Sequence, residues 1–169
     1  MRIKKVSQTT PVQAQIVDGY STSTTDGYSA NYINGIRSTI TASFNTNHTI
    51  ATTNTEEQVN LDTSVSIGSK LTLSNSEIVI GSGVRAVLVS ANINYQTITA
   101  GVKYVIIKQN GTTVYQNTSQ ISARTSLPIT PSLVEVQEGD KITLYLNGTQ
   151  GDVIRRNSAF SNITVEVVE

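Results

Sequence analysis

The sequence predicts an all-β protein built as an antiparallel β-sandwich, and three observations carry that prediction. Val and Ile supply 36 of the 169 residues against only 8 Leu, and β-branched side chains suit a pleated, half-buried surface better than a helix. Ser, Thr and Asn supply a further 57, the residues of turns and of the wet faces of strands. Within this composition, apolar residues alternate along short runs separated by turn dipeptides, the period of strands with a buried side.

In chain order, residues 1–19 are polar, lightly apolar and contain Pro11, which predicts an extended leader or attachment segment. Next, Ser23 to Asp26 offer helix N-caps, and Ile33, Ile36 and Ile40 follow at spacings of three and four, the stripe of a short amphipathic helix. So short a stripe, with Gly27 and Gly35 against it, cannot hold an isolated helix in water. The helix is expected either to dock on its own domain or to meet two symmetry mates at an oligomer axis. The second is the expectation adopted, with Ile33, Ile36 and Ile40 as oligomerisation residues of a stem over 1–40. Residues 41–56 are polar and without period, which predicts a linker ahead of a domain over 57–169.

Gln58 to Ile67 alternates with Val59, Leu61, Val65 and Ile67 on one face, so one strand is expected there. Leu71 to Leu73 and Glu77 to Ile80 flank Ser74-Asn75-Ser76 as two short strands. Val84 to Ser90 is apolar on both alternating sets, as for a strand covered on both faces. Val102 to Lys108 ends in Asn110-Gly111, which tolerates positive φ at both central turn positions and predicts a hairpin with Thr112 to Tyr115. Pro128 and Pro131 confine their segment to an edge or a connection. Glu138-Gly139-Asp140-Lys141 is expected to join Leu133 to Val136 with Ile142 to Leu146 in a second hairpin, and Phe160 to Val168 closes the sheet.

Several function classes are disfavoured. Twelve basic and twelve acidic residues lie without runs, so no electrostatic footprint for nucleic acid is visible. The absence of cysteine removes disulfides, thiolate metal sites and a cysteine nucleophile. No segment has the length and apolarity of a membrane span or of a secretory signal, so a soluble protein without membrane insertion is expected. His48 is the one histidine, and no serine lies in a Gly-x-Ser-x-Gly elbow, so acyl-transfer chemistry has no base. Glu135, Glu138 and Asp140 read as turn residues rather than a metal or glycosidase site. No enzyme, cofactor or metal is expected.

Two resemblances add to this reading. The run from Asp18 to Asn34, DGYSTSTTDGYSANYIN, resembles the "TSTSTTDxxSAN" segment of tailed-bacteriophage fibre, baseplate and head-fibre proteins, where it precedes a helical or trimerising element. Val105 to Gly111 (VIIKQNG), Val136 to Leu144 (VQEGDKITL) and the final strand from Phe160 to Val167 resemble the trimeric jelly roll of the complement-subcomponent and tumour-necrosis-factor-like superfamily. Together they imply a jelly-roll β-sandwich behind a short helical stem, assembled as a homotrimer. They imply a virion structural protein, made in the host cytoplasm, that contacts other virion proteins through its amino-terminal segment and presents the jelly roll to a host surface.

The alternative is a stand-alone carbohydrate-binding or adhesive β-sandwich. For either, recognition is expected in the polar loops Asn92 to Gly101, Asn117 to Ser126 and Asn147 to Asn157. Tyr95, Arg124, Asp152, Arg155 and Arg156 are the candidate ligand-binding side chains, because Tyr can stack on a sugar ring while Arg and Asp hydrogen-bond its hydroxyls.

Overall fold

A computed structural model describes residues 38–168. Ile33, Ile36 and the phage-like run before them lie outside the described residues.

Thirteen strands are described: β1 (Thr39–Ser43), β2 (His48–Thr49), β3 (Glu57–Gln58), β4 (Thr63–Ile67), β5 (Leu71–Ser74), β6 (Glu77–Ile80), β7 (Ala86–Thr97), β8 (Gly101–Gln109), β9 (Thr112–Ile121), β10 (Thr125–Glu135), β11 (Lys141–Asn147), β12 (Val153–Ile154) and β13 (Asn162–Val167). They form two antiparallel sheets. The seven-stranded sheet runs β2-β12-β7-β13-β1-β4, with β10 also on β7, and the six-stranded sheet runs β5-β6-β11-β8-β9, with β3 also on β11. The chain passes repeatedly from one sheet to the other, as a jelly roll does.

β7 organises the larger sheet. Val87, Val89, Ala91, Ile93 and Tyr95 are buried on its inner side. β10 lies along one of its edges, and β13 followed by β12 along the other. The facing layer comes from Val105 and Ile107 of β8, Ile142, Leu144 and Leu146 of β11, and Ile78 and Ile80 of β6. The β8–β9 hairpin turns at Asn110 (φ 49) and Gly111 (φ 82), as the dipeptide predicts. The β5–β6 hairpin turns likewise at Asn75 (φ 50) and Ser76 (φ 65). β10 carries both prolines, is an edge strand, and is irregular between Ile129 and Ser132, where Pro131 breaks the ladder.

Four expectations are corrected. Ile40 is not on a stem helix: it is 1% exposed in β1, inside the sandwich core. Residues 41–56 are not a linker, because β1 and β2 both belong to the larger sheet. The run from Gln58 to Ile67 is not one strand. Val59 and Leu61 turn inward between β3 of one sheet and β4 of the other, while Val65 and Ile67 stay 70% and 62% exposed. The Glu138 to Lys141 turn is a crossing between sheets rather than a hairpin, since β10 pairs with β7 and β11 pairs with β8. Gly139 holds φ +86 there, the left-handed value expected of it. Asp140 fastens this crossing. Burial acts to raise its carboxyl, but hydrogen bonds from Asn110 Nδ2 (2.7 Å), the Gln137 amide (2.9 Å) and Gln109 Nε2 (2.8 Å) prevail and hold it below the ordinary Asp range.

Candidate recognition loops and an exposed sheet face

Two of the expected recognition loops are mostly strand, with only residues 98–100 and 122–124 left as connections. Asn92 to Thr97 continues β7, and Asn117 to Ser126 is shared between β9 and β10. Tyr95 points inward with no exposed surface, and its hydroxyl has no hydrogen-bond partner. Burial first, and the charge of Asp152 second, push its phenol well above the ordinary value. It cannot stack on a sugar.

Asp152 is buried too, and what holds it is a lysine. Lys103 shares the inward face of β8 with Val105 and Ile107, and its Nζ lies 2.6 Å from Asp152 Oδ2, both side chains being 0% exposed. Thr149 Oγ1 accepts from Nζ at 2.8 Å, while the Thr99 and Thr149 amides donate to the two carboxylate oxygens at 2.7 and 2.8 Å. Every charge is thus paired and hydrogen-bonded, the condition for tolerating ions in an apolar interior. The contact is close enough to require Gly148, where an added Cβ would sit 2.9 Å from Asp152 Oδ2 and 3.3 Å from Lys103 Cδ. The pair ties β8 to the 148–152 loop and closes the core at this end.

Above that base sit the remaining candidates, Arg155 half-buried and Arg156 exposed. Arg155 and Arg156 follow β12; the Arg155 amide donates to Asn94 O at 2.8 Å and its guanidinium lies 3.4 Å from the Phe160 ring centroid. The Arg156 amide donates to Asn47 Oδ1 at 2.9 Å, its Nη1 to Asn45 O at 3.4 Å, and Asn47 Nδ2 donates to Gln96 Oε1 at 3.3 Å. Arg124 is exposed just before β10. Since Thr125 faces Tyr95 on one side of β7 and Ile154 faces Tyr95 on the other, Arg124 and the Arg155-Arg156 pair flank the same end of one strand, about 10 Å apart. Three of the five expected side chains therefore gather at one end, joined by Asn45, Asn47, Gln96 and Phe160.

Nearby, His48 Nε2 is 3.8 Å from Glu57 Oε2, and Glu57 also accepts from the Ala51 and Thr52 amides. Burial lowers the imidazole below its ordinary value against the opposing pull of Glu57, so the ring is neutral at pH 7. Among the described residues, no group of three or more His, Asp or Glu is arranged to hold a metal ion.

The outer face of the seven-stranded sheet has a different character. One row across it reads Ile67, Thr39, Glu166, Leu88, Leu133, and the next reads Val65, Thr41, Thr164, Ser90. Glu166 is the one charge in these rows, and Val65, Ile67 and Leu133 are 70%, 62% and 56% exposed. A sheet face this apolar and this poor in charge is unusual for one that meets only water.

No protein-family model and no curated protein matches the chain. Solved structures do. Murine APRIL at pH 8.5 superposes with a TM-score of 0.63 at 10% identity, over 78% of this chain and 98% of that one. Eiger TNF from S. frugiperda gives 0.64 at 10% identity, over 79% of this chain and 93% of that one. The fold is a TNF-like jelly-roll sandwich. At such identities the likeness is one of fold, and it covers nearly all of each neighbour.

Proposed function

We propose that this protein is a non-enzymatic bacteriophage virion component, a homotrimeric fibre or receptor-binding tip. The observation that carries the reading is polarity along β7. Ser38, where the preceding segment joins, accepts from the Val167 amide beside the Ala86 end of that strand. Arg124, Arg155, Arg156, Asn45 and Asn47 collect at the Tyr95 end. Within the twelve residues of β7, Ala86 and Tyr95 are about 30 Å apart along the chain. Attachment through the chain that precedes Ser38 leaves the loops at the Tyr95 end facing away from the particle, and the phage-like sequence over 18–34 belongs to that preceding chain. Assembly uses the outer face of the seven-stranded sheet, where Val65 and Ile67 need cover, in keeping with the trimeric habit of the superfamily whose fold it shares.

Recognition falls to the far loops. Guanidinium and amide groups at fixed spacing hydrogen-bond glycan hydroxyls or carboxylates, and the buried Lys103–Asp152 pair keeps their base rigid. Binding to host cells or a glycan array tests this, comparing the intact protein with an Arg155→Ala/Arg156→Ala variant. Loss of two charge-assisted contacts should weaken binding at least about tenfold. Equal binding with unchanged folding removes this loop end from the receptor site.

A further inference from the structure

The guanidinium groups at the Tyr95 end of β7 have no carboxylate to neutralise them. The ion pairs among the described residues join His48 to Glu57, Lys103 to Asp152, Lys108 to Glu56 and Lys141 to Glu77, and none takes Arg124, Arg155 or Arg156. Asp152, the acid nearest the Arg155-Arg156 pair in the chain, is buried on Lys103. Asp62 accepts from the Asn45 amide at 2.9 Å and the Thr63 hydroxyl at 3.0 Å, and Glu57 from the Ala51 and Thr52 amides. The acids near this end are thus held by other donors, and the arginines keep theirs. They are also placed in advance. Arg155 Cζ lies 3.4 Å from the Phe160 ring centroid, and a guanidinium stacked on a ring keeps its in-plane N–H groups for an acceptor at the ring's edge. The ring is itself fixed: the Phe160 amide donates to Asn157 O at 2.9 Å, its carbonyl accepts from Asn92 Nδ2 at 3.0 Å, and Ser161 beside it is 0% exposed. Arg156 gives one contact to the protein through its guanidinium, Nη1 to Asn45 O at 3.4 Å. Side chains ordered beforehand lose less freedom on binding.

Taking this end as the receptor surface proposed above, we infer that its ligand is an acidic glycan, a polymer with carboxylate or phosphodiester groups on successive units, and not a neutral one. A sugar hydroxyl is met as well by Asn or Gln, whereas an anionic group with two oxygens accepts both N–H bonds of a guanidinium fork. Arg124 stands about 10 Å from the pair, more than one acidic group spans, so a repeating acid serves the whole set. A polynucleotide offers repeated charge too, but proteins that hold single strands stack the bases on aromatic rings. Here Tyr95 is buried and one face of Phe160 is taken by Arg155. The site lies at the far end of β7 from the Leu88 row that a trimer would cover, so it stands open in either state of assembly.

Titration of the full-length protein with polygalacturonate, which carries carboxylates, poly(glycerol phosphate), which carries phosphodiesters, and neutral dextran tests the ligand class. At least one acidic polymer should bind about tenfold or more tighter than dextran, and the preferred one identifies the acid. Added salt should weaken that binding, because exposed charges are screened. Arg155→Gln/Arg156→Gln should lose about tenfold with an unchanged circular-dichroism spectrum, while Arg155→Lys/Arg156→Lys, which keeps the charge and removes the fork, should fall between the two. The inference is overturned if dextran binds as tightly as both acidic polymers, if the folded Gln variant binds them as the native protein does, or if a single-stranded polynucleotide binds tighter than either. Host-cell attachment that requires Arg155 and Arg156 while neither acidic polymer binds would remove the ligand class and leave the receptor tip standing. An acidic polymer bound through these arginines, with host-cell attachment indifferent to their loss, would remove the tip instead.

Discussion

Lys103 shows how one side chain can set a residue's role against its type. A lysine at the inward parity of an otherwise apolar strand is costly unless a carboxylate meets it, and Asp152 does so at 2.6 Å. Lys103→Met would strand Asp152 without its cation and should destabilise the fold by about 3–5 kcal/mol in urea titration. Lys103→Met/Asp152→Leu, which removes both charges, should recover a large part of that loss. His48 gives a second residue-scale expectation. Its folded value lies below 6.5, so the unfolded chain takes up the proton first as pH falls. Its contribution to stability is complete above about pH 6.5 and is lost below it. Between about pH 7 and pH 5 the urea midpoint should therefore fall more steeply for the native protein than for His48→Gln.

At the scale of elements, local signals served well where a turn is closed by backbone chemistry and less well where two sheets compete for the same pattern. Asn110-Gly111 marks its hairpin because no distant contact is needed to favour positive φ, and Gly111→Val should cost roughly 1–2 kcal/mol, read as a lower melting temperature with the same spectrum. The alternation through Val59, Leu61, Val65 and Ile67 looks continuous, yet it spans a sheet crossing, and no local periodicity distinguishes two sheets. Asp152 lies in a loop as expected, and only its distant partner Lys103 makes it a buried residue; Tyr95 departs from its expectation for a reason related to the sheet crossing. Polar neighbours such as Asn92, Asn94 and Gln96 suggested a loop, whereas they are the outward members of a strand whose inward members fill the core. Ile40 completes a helical stripe by spacing alone, whereas the alternation of Ile40 and Ala42 suits the buried parity of β1. Arg124, Arg155 and Arg156 were legible as surface residues; their shared end of β7 was not, because β10 and β12 reach it from distant parts of the chain.

For the whole molecule, the two-sided apolar pattern of Val84 to Ser90 is what the proposed trimer would explain. One side of β7 is buried within the sandwich, and the other, with Leu88, is only half covered in the single chain. Covering that face also accounts for Val65 and Ile67, which lie across β1 and β13 from it. Val65→Asp/Ile67→Asp should leave the circular-dichroism spectrum intact and reduce the particle in solution to one chain, since charges at such a face are unpaired only when it is buried against a neighbour. The most direct measurement is the molar mass of the native full-length protein by light scattering. A value of three times the 18.2 kDa chain is expected, and a folded species at one chain mass across the micromolar range would contradict the trimeric tip.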